Sequence, residues 1–274
     1  MSLTNKIDFA VVFRVTHANP NGDPLNGNRP RITYEGLGEV SDVCLKRKIR
    51  NRLMEKGYGI FVQSDDNRVD EYINLRSRAE AFLPSKGTSE EKAKKACEKW
   101  FDVRAFGQVL AFSASTGKKG EGLSIGIRGP VSIHSAFSKD RIDVSSTQIT
   151  KSVSTEGDGT KKGSDTMGLK HRVDNGVYVF YGSMNPQLAA KTGFSDDDAQ
   201  AIKDILPKLF ENDASSARPE GSMEVLKMVW WQHNCPNGQI SSAKVHRSLK
   251  VESDGTINVE PLDGGPMPEI IPGF

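Results

Sequence analysis

The chain has 274 residues, 36% of them hydrophobic, with 26 glycines, which is length for one large domain or two small ones and a modest core carrying long surface loops. A net charge of +2 sets up no global field for a polyanion, so any phosphate partner has to be met by local clusters among the 37 basic side chains. Three cysteines (Cys44, Cys97, Cys235) with no C-x-x-C pair argue against a disulfide framework, no apolar run approaches the about 20 residues of a membrane span, and the first residues carry no signal-peptide core, so a cytoplasmic protein is expected.

Residues 7–17 read as a half-buried strand, with Phe9, Val11, Phe13 and Val15 alternating against Ala10, Val12, Arg14 and Thr16. The loop N-P-N-G-D-P-L-N-G-N-R-P-R follows. Three prolines, two glycines and four asparagines in thirteen positions exclude a strand or helix interior. Ser41 and Asp42 cap a helix over residues 43–56, in which Leu45, Ile49 and Leu53 form an apolar stripe. Lys46, Arg47 and Arg50 flank that stripe on one side, Lys48 and Arg52 on the other.

A short strand is expected over residues 59–63, then a polar insertion over 64–89. Ser89 caps one helix running to about Phe106, with Ala93, Cys97, Trp100, Phe101 and Arg104 on a shared face. Strands follow over 108–114 and 123–136, separated by the basic loop 118–122. Residues 145–175 are too polar to fold as a unit, so they are either disordered or a hairpin arm ordered by a partner. A strand over 176–184, a helix capped by Ser195 and curtailed by Pro207, a strand over 224–232 and a tail of short strands complete the chain. Strand, helix, two strands, helix, strand is the order of a β-α-β-β-α-β sheet domain of the α+β class, here with long insertions.

Motifs for chemistry are few. S-T-G-K-K-G lacks the first glycine and the final hydroxyl of a P-loop, and G-E-G-L-S-I-G-I-R-G has the wrong intervals for a dinucleotide fingerprint. His233, Cys235 and His246 could supply metal ligands, but without a second close pair an incidental cluster is the simpler reading, and no cofactor is expected. Asp23 has two readings: a turn residue in N-G-D-P that needs only local hydrogen bonds, or a carboxylate positioning a metal or ribose hydroxyl for phosphodiester cleavage.

The basic residues carry more. Lys46, Arg47 and Arg50, near a helix N-terminus and joined by Arg29 and Arg31 of the loop, make a phosphate track. A solvated helix face would carry acidic partners at i±4, and after the cap this helix holds only Glu55, which leaves the charges free for another partner. A second cluster, Lys161, Lys162, Lys170, His171 and Arg172 around Met167, could hold a backbone and wedge between bases, or be a generic charged loop.

The strings N-P-N-G-D-P-x-x-G-N-x-P-R, S-D-V-C-L-K-R-K-I-R, F-D-V-R-A-F-G-Q-V, I-R-G-P-V and T-M-G-L-K-H-R-V occur in this order between about Ile7 and Met184. They resemble the backbone subunit of type I CRISPR Cascade complexes (RAMP superfamily), most of all the type I-C branch. The resemblance implies an RRM-like (ferredoxin-like) antiparallel palm, a helical finger insertion over about 64–106 and a thumb hairpin over about 145–175, all in one domain. It implies several copies along one CRISPR RNA in antiviral defence, with target DNA read by guide pairing, and other Cascade subunits (a crRNA-processing cap subunit and a large subunit) as partners. The RNA groove would be lined by Ser41, Lys46, Arg47 and Arg50, with Arg29 and Arg31, and the thumb would bring Met167, Lys170, His171 and Arg172. Such subunits are non-catalytic, whereas type III relatives cleave target RNA through an Asp in the equivalent loop, so a metal-dependent endoribonuclease using Asp23 is the alternative.

Overall fold

The computed structural model describes residues 1–84, 87–112, 123–150 and 167–274. β1 (Ile7–Ala18) leads into a small ladder of β2 (Gly22–Asp23) and β3 (Arg29–Pro30), then β4 (Leu37–Val40) and the helix α1 (Asp42–Glu55). Next come α2 (Leu75–Phe82), α3 (Ser89–Lys99), α4 (Phe101–Phe106), β5 (Gly107–Phe112), β6 (Leu123–Arg128), β7 (Val131–Ile133), β8 (Ala136–Arg141), β9 (Val144–Thr150) and the long β10 (Met167–Met184). The last part holds α5 (Pro186–Thr192), α6 (Asp196–Ile205), β11 (Met223–Gln232), α7 (Ser242–Arg247), β12 (Leu249–Val251), β13 (Ile257–Val259) and β14 (Pro268–Pro272). This is a mixed α and β fold around a large antiparallel sheet, ordered β14-β11-β1-β10-β8-β4 among the described residues, with β7 and β9 also on β10.

β1 is not half-buried, as its alternation predicts, but covered on both faces. Phe9, Val11 and Phe13 pack with Leu45, Ile49 and Leu53 of α1 and Ile202 and Ile205 of α6. Ala10 and Val12 pack on the other side with Trp231, Val245, Leu249 and Val251, because the C-terminal segment folds back over the sheet. Phe9 needs a gap opposite it: its register partner is Gly182, where a Cβ would lie 2.2 Å from the Phe9 ring.

Four expectations change between residues 59 and 106. The segment 59–63 forms no strand, because its polar groups are taken by side chains: Asp102 accepts from the Phe61 and Val62 N–H groups (2.7 and 3.1 Å), and Arg78 and Arg47 donate to the Phe61 and Val62 carbonyls (both 2.8 Å). The helix expected from residue 90 to 106 breaks at Trp100, which is extended (φ −117°, ψ 121°). Trp100 belongs to a satellite core with Phe61, Ala79, Leu83 and Cys97, while Phe101 belongs to the main core, and one straight helix could not send adjacent residues into both. The cap is Thr88 rather than Ser89, in a capping box with Glu91. The insertion is therefore more than a polar excursion: α2, α3 and the β5–β6 pair enclose a core of their own. Residues 113–122, including the expected basic loop 118–122, lie outside the described residues.

The C-terminal layer is tied to β1 by a buried polar cluster. Asp8 accepts from His233 Nε2 (2.9 Å) and lies 3.5 Å from His246 Nε2, which also reaches the Gly182 carbonyl (3.2 Å). The Gln239 N–H donates to His233 Nδ1, which fixes the Nε2–H tautomer. Burial raises the Asp8 pKa, but hydrogen bonds from His246, His233 and Ser242 outweigh it and hold the carboxyl below its ordinary value of 3.8. No helix among the described residues is long and apolar enough to cross a membrane.

Replacing Asp8 with Ala leaves a buried imidazole N–H without its acceptor and should destabilise the fold by about 2–3 kcal/mol in urea unfolding at neutral pH. Because the folded-state pKa is depressed, that contribution is present above the ordinary value of 3.8 and is lost as the pH falls below it. The gap between native and Asp8→Ala stability should close in that acid window.

Candidate nucleic-acid interface

The turn-dense loop after β1 is rigid by construction. Asp23 caps the 3₁₀ turn Pro24–Asn26, its Oδ1 accepting from the Leu25 N–H (3.2 Å), and the Arg31 guanidinium lies 3.5 Å from the same oxygen. Asn28 donates its N–H to the Asp23 carbonyl, and buried Asn19 donates from Nδ2 to the Asn28 carbonyl (2.7 Å). Gly27 and Asn28 both take positive φ (58° and 59°), the left-handed backbone that Asn-Gly sequences tolerate. Asp23 is thus bound into a turn and an ion pair, the plainer of its two readings. Among the described residues no three His, Cys, Asp or Glu side chains converge as metal ligands, and His233 and His246 instead share Asp8.

The loop is fastened to α1 through Asn21, whose Oδ1 accepts from both the N–H and the hydroxyl of Ser41 (3.0 and 2.8 Å). Ser41 Oγ in turn accepts from the Cys44 N–H (3.4 Å) as the helix N-cap. The Ser41 hydroxyl hydrogen is therefore spent inside the protein.

The basic residues of α1 are not left free, contrary to expectation. Lys46 pairs with Asp42 (2.9 Å) and Arg50 Nε with Asp102 (2.8 Å). Buried Lys48 pairs with Asp213, and Arg52 with Glu55. Arg47 donates to the Val62 carbonyl. The reason is spatial: apart from Asp42 and Glu55, the acids come from 50 residues or more along the chain, where an i±4 search cannot find them. The degree of commitment differs along the track. Arg50 is 11% exposed and stacks on Phe106, whereas Lys46 is 22% exposed and its partner Asp42 is open to solvent at 38%. Lys46 is the more open end of the track, Arg47 is half-buried with its Nη1 on a backbone carbonyl rather than a carboxylate, and Arg50 is a tie between helices. Burial and the neighbouring Arg50 charge lower the Arg47 pKa, and Asp102 opposes them.

Of the region expected to be either disordered or a hairpin arm ordered by a partner, residues 144–150 and 167–173 pair antiparallel as β9 and the start of β10, Val144 opposite Val173 and Thr150 opposite Met167. Residues 151–166, with Lys161 and Lys162, lie outside the described residues. Strand alternation divides the expected cluster. Met167, Leu169, His171 and Val173 fall on one face, Lys170 and Arg172 on the other. His171 is buried at 8% exposure and its Nδ1 meets Ser146 Oγ (2.8 Å), while Arg29 donates to the same hydroxyl (3.1 Å). Loop and hairpin are joined there, and the Nδ1 of His171 is taken up in that joint. Exposed Met167 and Leu169 continue the face that His171 begins. Arg172 lies 3.5 Å from Asp174.

Sequence reasoning passed over Asn21, Ser146 and Asp102. For Asp102 a signal existed: a carboxylate inside the apolar string F-D-V-R-A-F, on a helix too apolar to be solvent-facing, needs a buried partner.

Comparison with known proteins places these features in a family. The family model described as CRISPR-associated protein Cas7 matches residues 5–263. A CRISPR-associated protein Cas7 of Haloferax volcanii is 26% identical over 244 residues, covering 79% of this chain and 67% of that protein. Among solved structures, a chain of a CRISPR RNA-guided surveillance complex, pre-nicking, shares the fold with a TM-score of 0.52 at 18% identity, over 91% of this chain and 82% of that one. With the family model spanning nearly the whole length, the chain belongs to the CRISPR-associated protein Cas7 family.

Proposed function

We propose that this protein is a non-catalytic, crRNA-binding backbone subunit of a Cascade surveillance complex of type I, on the I-C branch, acting in the cytoplasm. The family match over residues 5–263 carries the reading. Several copies line one CRISPR RNA beside a crRNA-processing cap subunit and a large subunit, and the guide, not the protein, reads target DNA. The strand order β11-β1-β10-β8, with α1 after its first strand and α6 after its third, supports an RRM-like palm. Residues of about 64–106 act as the finger and about 145–175 as the thumb. The phosphate track runs over Lys46 and Arg47, with Arg29, Arg31, Ser41 and Arg50 behind it. Met167 is the apolar contact of the thumb, Lys170 and Arg172 serve its opposite face, and His171 holds thumb to loop.

Two experiments test this. Arg50 is unsuitable for charge removal, because its loss strands a carboxylate that is 1% exposed, a change of about 3–5 kcal/mol. The double variant Lys46→Gln, Arg47→Gln should weaken binding to labelled RNAs of unrelated sequence alike and flatten the log Kd against log salt slope by about 1.4. An unchanged slope sinks the phosphate track. For the absence of catalysis, native protein and Asp23→Ala, each loaded with guide RNA and given magnesium and complementary labelled RNA, should both leave the label intact. Products from the native protein that vanish in Asp23→Ala would establish the ribonuclease instead.

A further inference from the structure

The geometry points to Asp102 as a positioning residue for RNA binding, one carboxylate that couples the root of the helical insertion to Arg47 of α1; the inference rests on the RNA-backbone reading above. Asp102 is 1% exposed, and its two oxygens accept from three donors at the root of the track. Oδ1 accepts from the Phe61 N–H (2.7 Å), and Oδ2 accepts from the Val62 N–H (3.1 Å) and from Arg50 Nε (2.8 Å). The carbonyl of that same Val62 accepts from Arg47 (2.8 Å). Arg47 is thus held at second hand: Asp102 fixes the peptide unit before the Val62 Cα by its N–H, and Arg47 grips the carbonyl of the unit after it.

Charge makes the arrangement depend on a carboxylate rather than on any acceptor. Arg47 and Arg50 lie close enough to repel; Asp102 pairs directly with Arg50 and, ahead of Asp66, offsets the repulsion at Arg47. An amide at position 102 would present its NH₂ group to one of three donors and remove the charge that lets two half-buried guanidiniums stand side by side. Two residues further on, Arg104 makes a two-point pair with Asp198 at the start of α6 (2.9 and 2.7 Å). The short helix α4 therefore fastens to α1 with its acid and to α6 with its base. The variant Asp102→Asn keeps a side-chain oxygen for one of these donors, the Arg104 tie and the main core, so it should fold with a lowered melting temperature while the α1 flank loosens.

The test is a double-mutant cycle on the full chain, read by binding to fluorescein-labelled polyuridylate and by thermal melting. Asp102→Asn should weaken binding about fivefold to tenfold and flatten the salt slope, with strong coupling to Arg47→Gln and none to Lys46→Gln, whose charge is held by Asp42 instead. A purely architectural Asp102 would lower the melting temperature with affinity and slope unchanged, or couple equally to both, and either result overturns the proposal. Should Asp102→Asn not fold, Arg50→Lys takes its place, since it keeps the charge and loses the Nε donor; weakened binding coupled to Arg47→Gln supports the proposal and unchanged affinity overturns it. If Lys46→Gln and Arg47→Gln are both without effect, the RNA track itself has failed and the role of Asp102 falls with it, by a signature distinct from the other outcomes.

Discussion

The register of β1 against β10 is the constraint on which the remaining architecture hangs. β1 has strands on both edges and packed layers on both faces, so it cannot slip by one residue without driving Arg14 or Asp8 into the wrong environment. That register ends with Ala18 opposite Val173. Beyond this point β1 gives way to the loop at residues 19–31, while β10 continues outward, toward its start at Met167, with β9 as its companion. Loop and hairpin therefore emerge from adjacent strand ends, close enough for Arg29, Ser146 and His171 to join them. The two parts of the candidate interface lie next to each other because the sheet puts them there.

The same economy governs the charges. A flank of basic residues waiting for a polyanion would be costly to hold in an orderly way, since long flexible side chains lose rotamer freedom when a ligand arrives. Here most of that ordering is done in the free protein. Lys46, Arg47 and Arg50 each have an internal acceptor, and Ser41 is held between Asn21 and Cys44. An interface of this kind gives up some raw charge and gains preorganisation. It suits a subunit that takes hold of backbone irrespective of sequence, because spacing rather than base chemistry has to match.

What could be read from the sequence was the part that repeats locally. The α1 stripe of Leu45, Ile49 and Leu53, the capping signals at Ser41 and Ser195, and the strands around Phe9 and Trp230 all announce themselves within a few residues. The turn role of Asp23 was equally local. What escaped depended on distance along the chain. Asp102 and Asp213 meet α1 from 52 and 165 residues away, so the flank looked unpaired. The second cover on β1 comes from the last quarter of the chain, so the strand looked half-exposed. The division of Met167, Lys170, His171 and Arg172 between two faces follows from a strand assignment that a polar composition disguised. The family resemblance supplied what local pattern could not, the function, because its motifs sit at the loop, at α1, at α4 and on β10 together.

The most direct test is ultraviolet crosslinking of the full chain to a guide RNA, followed by mass spectrometry of the crosslinked peptides. The account predicts adducts concentrated in the peptides that carry Lys46 and Arg47 and in those that carry Met167 to Arg172, for guides of any sequence. Adducts confined to the C-terminal layer around α7, β12 and β13, with α1 and the hairpin bare, would contradict it.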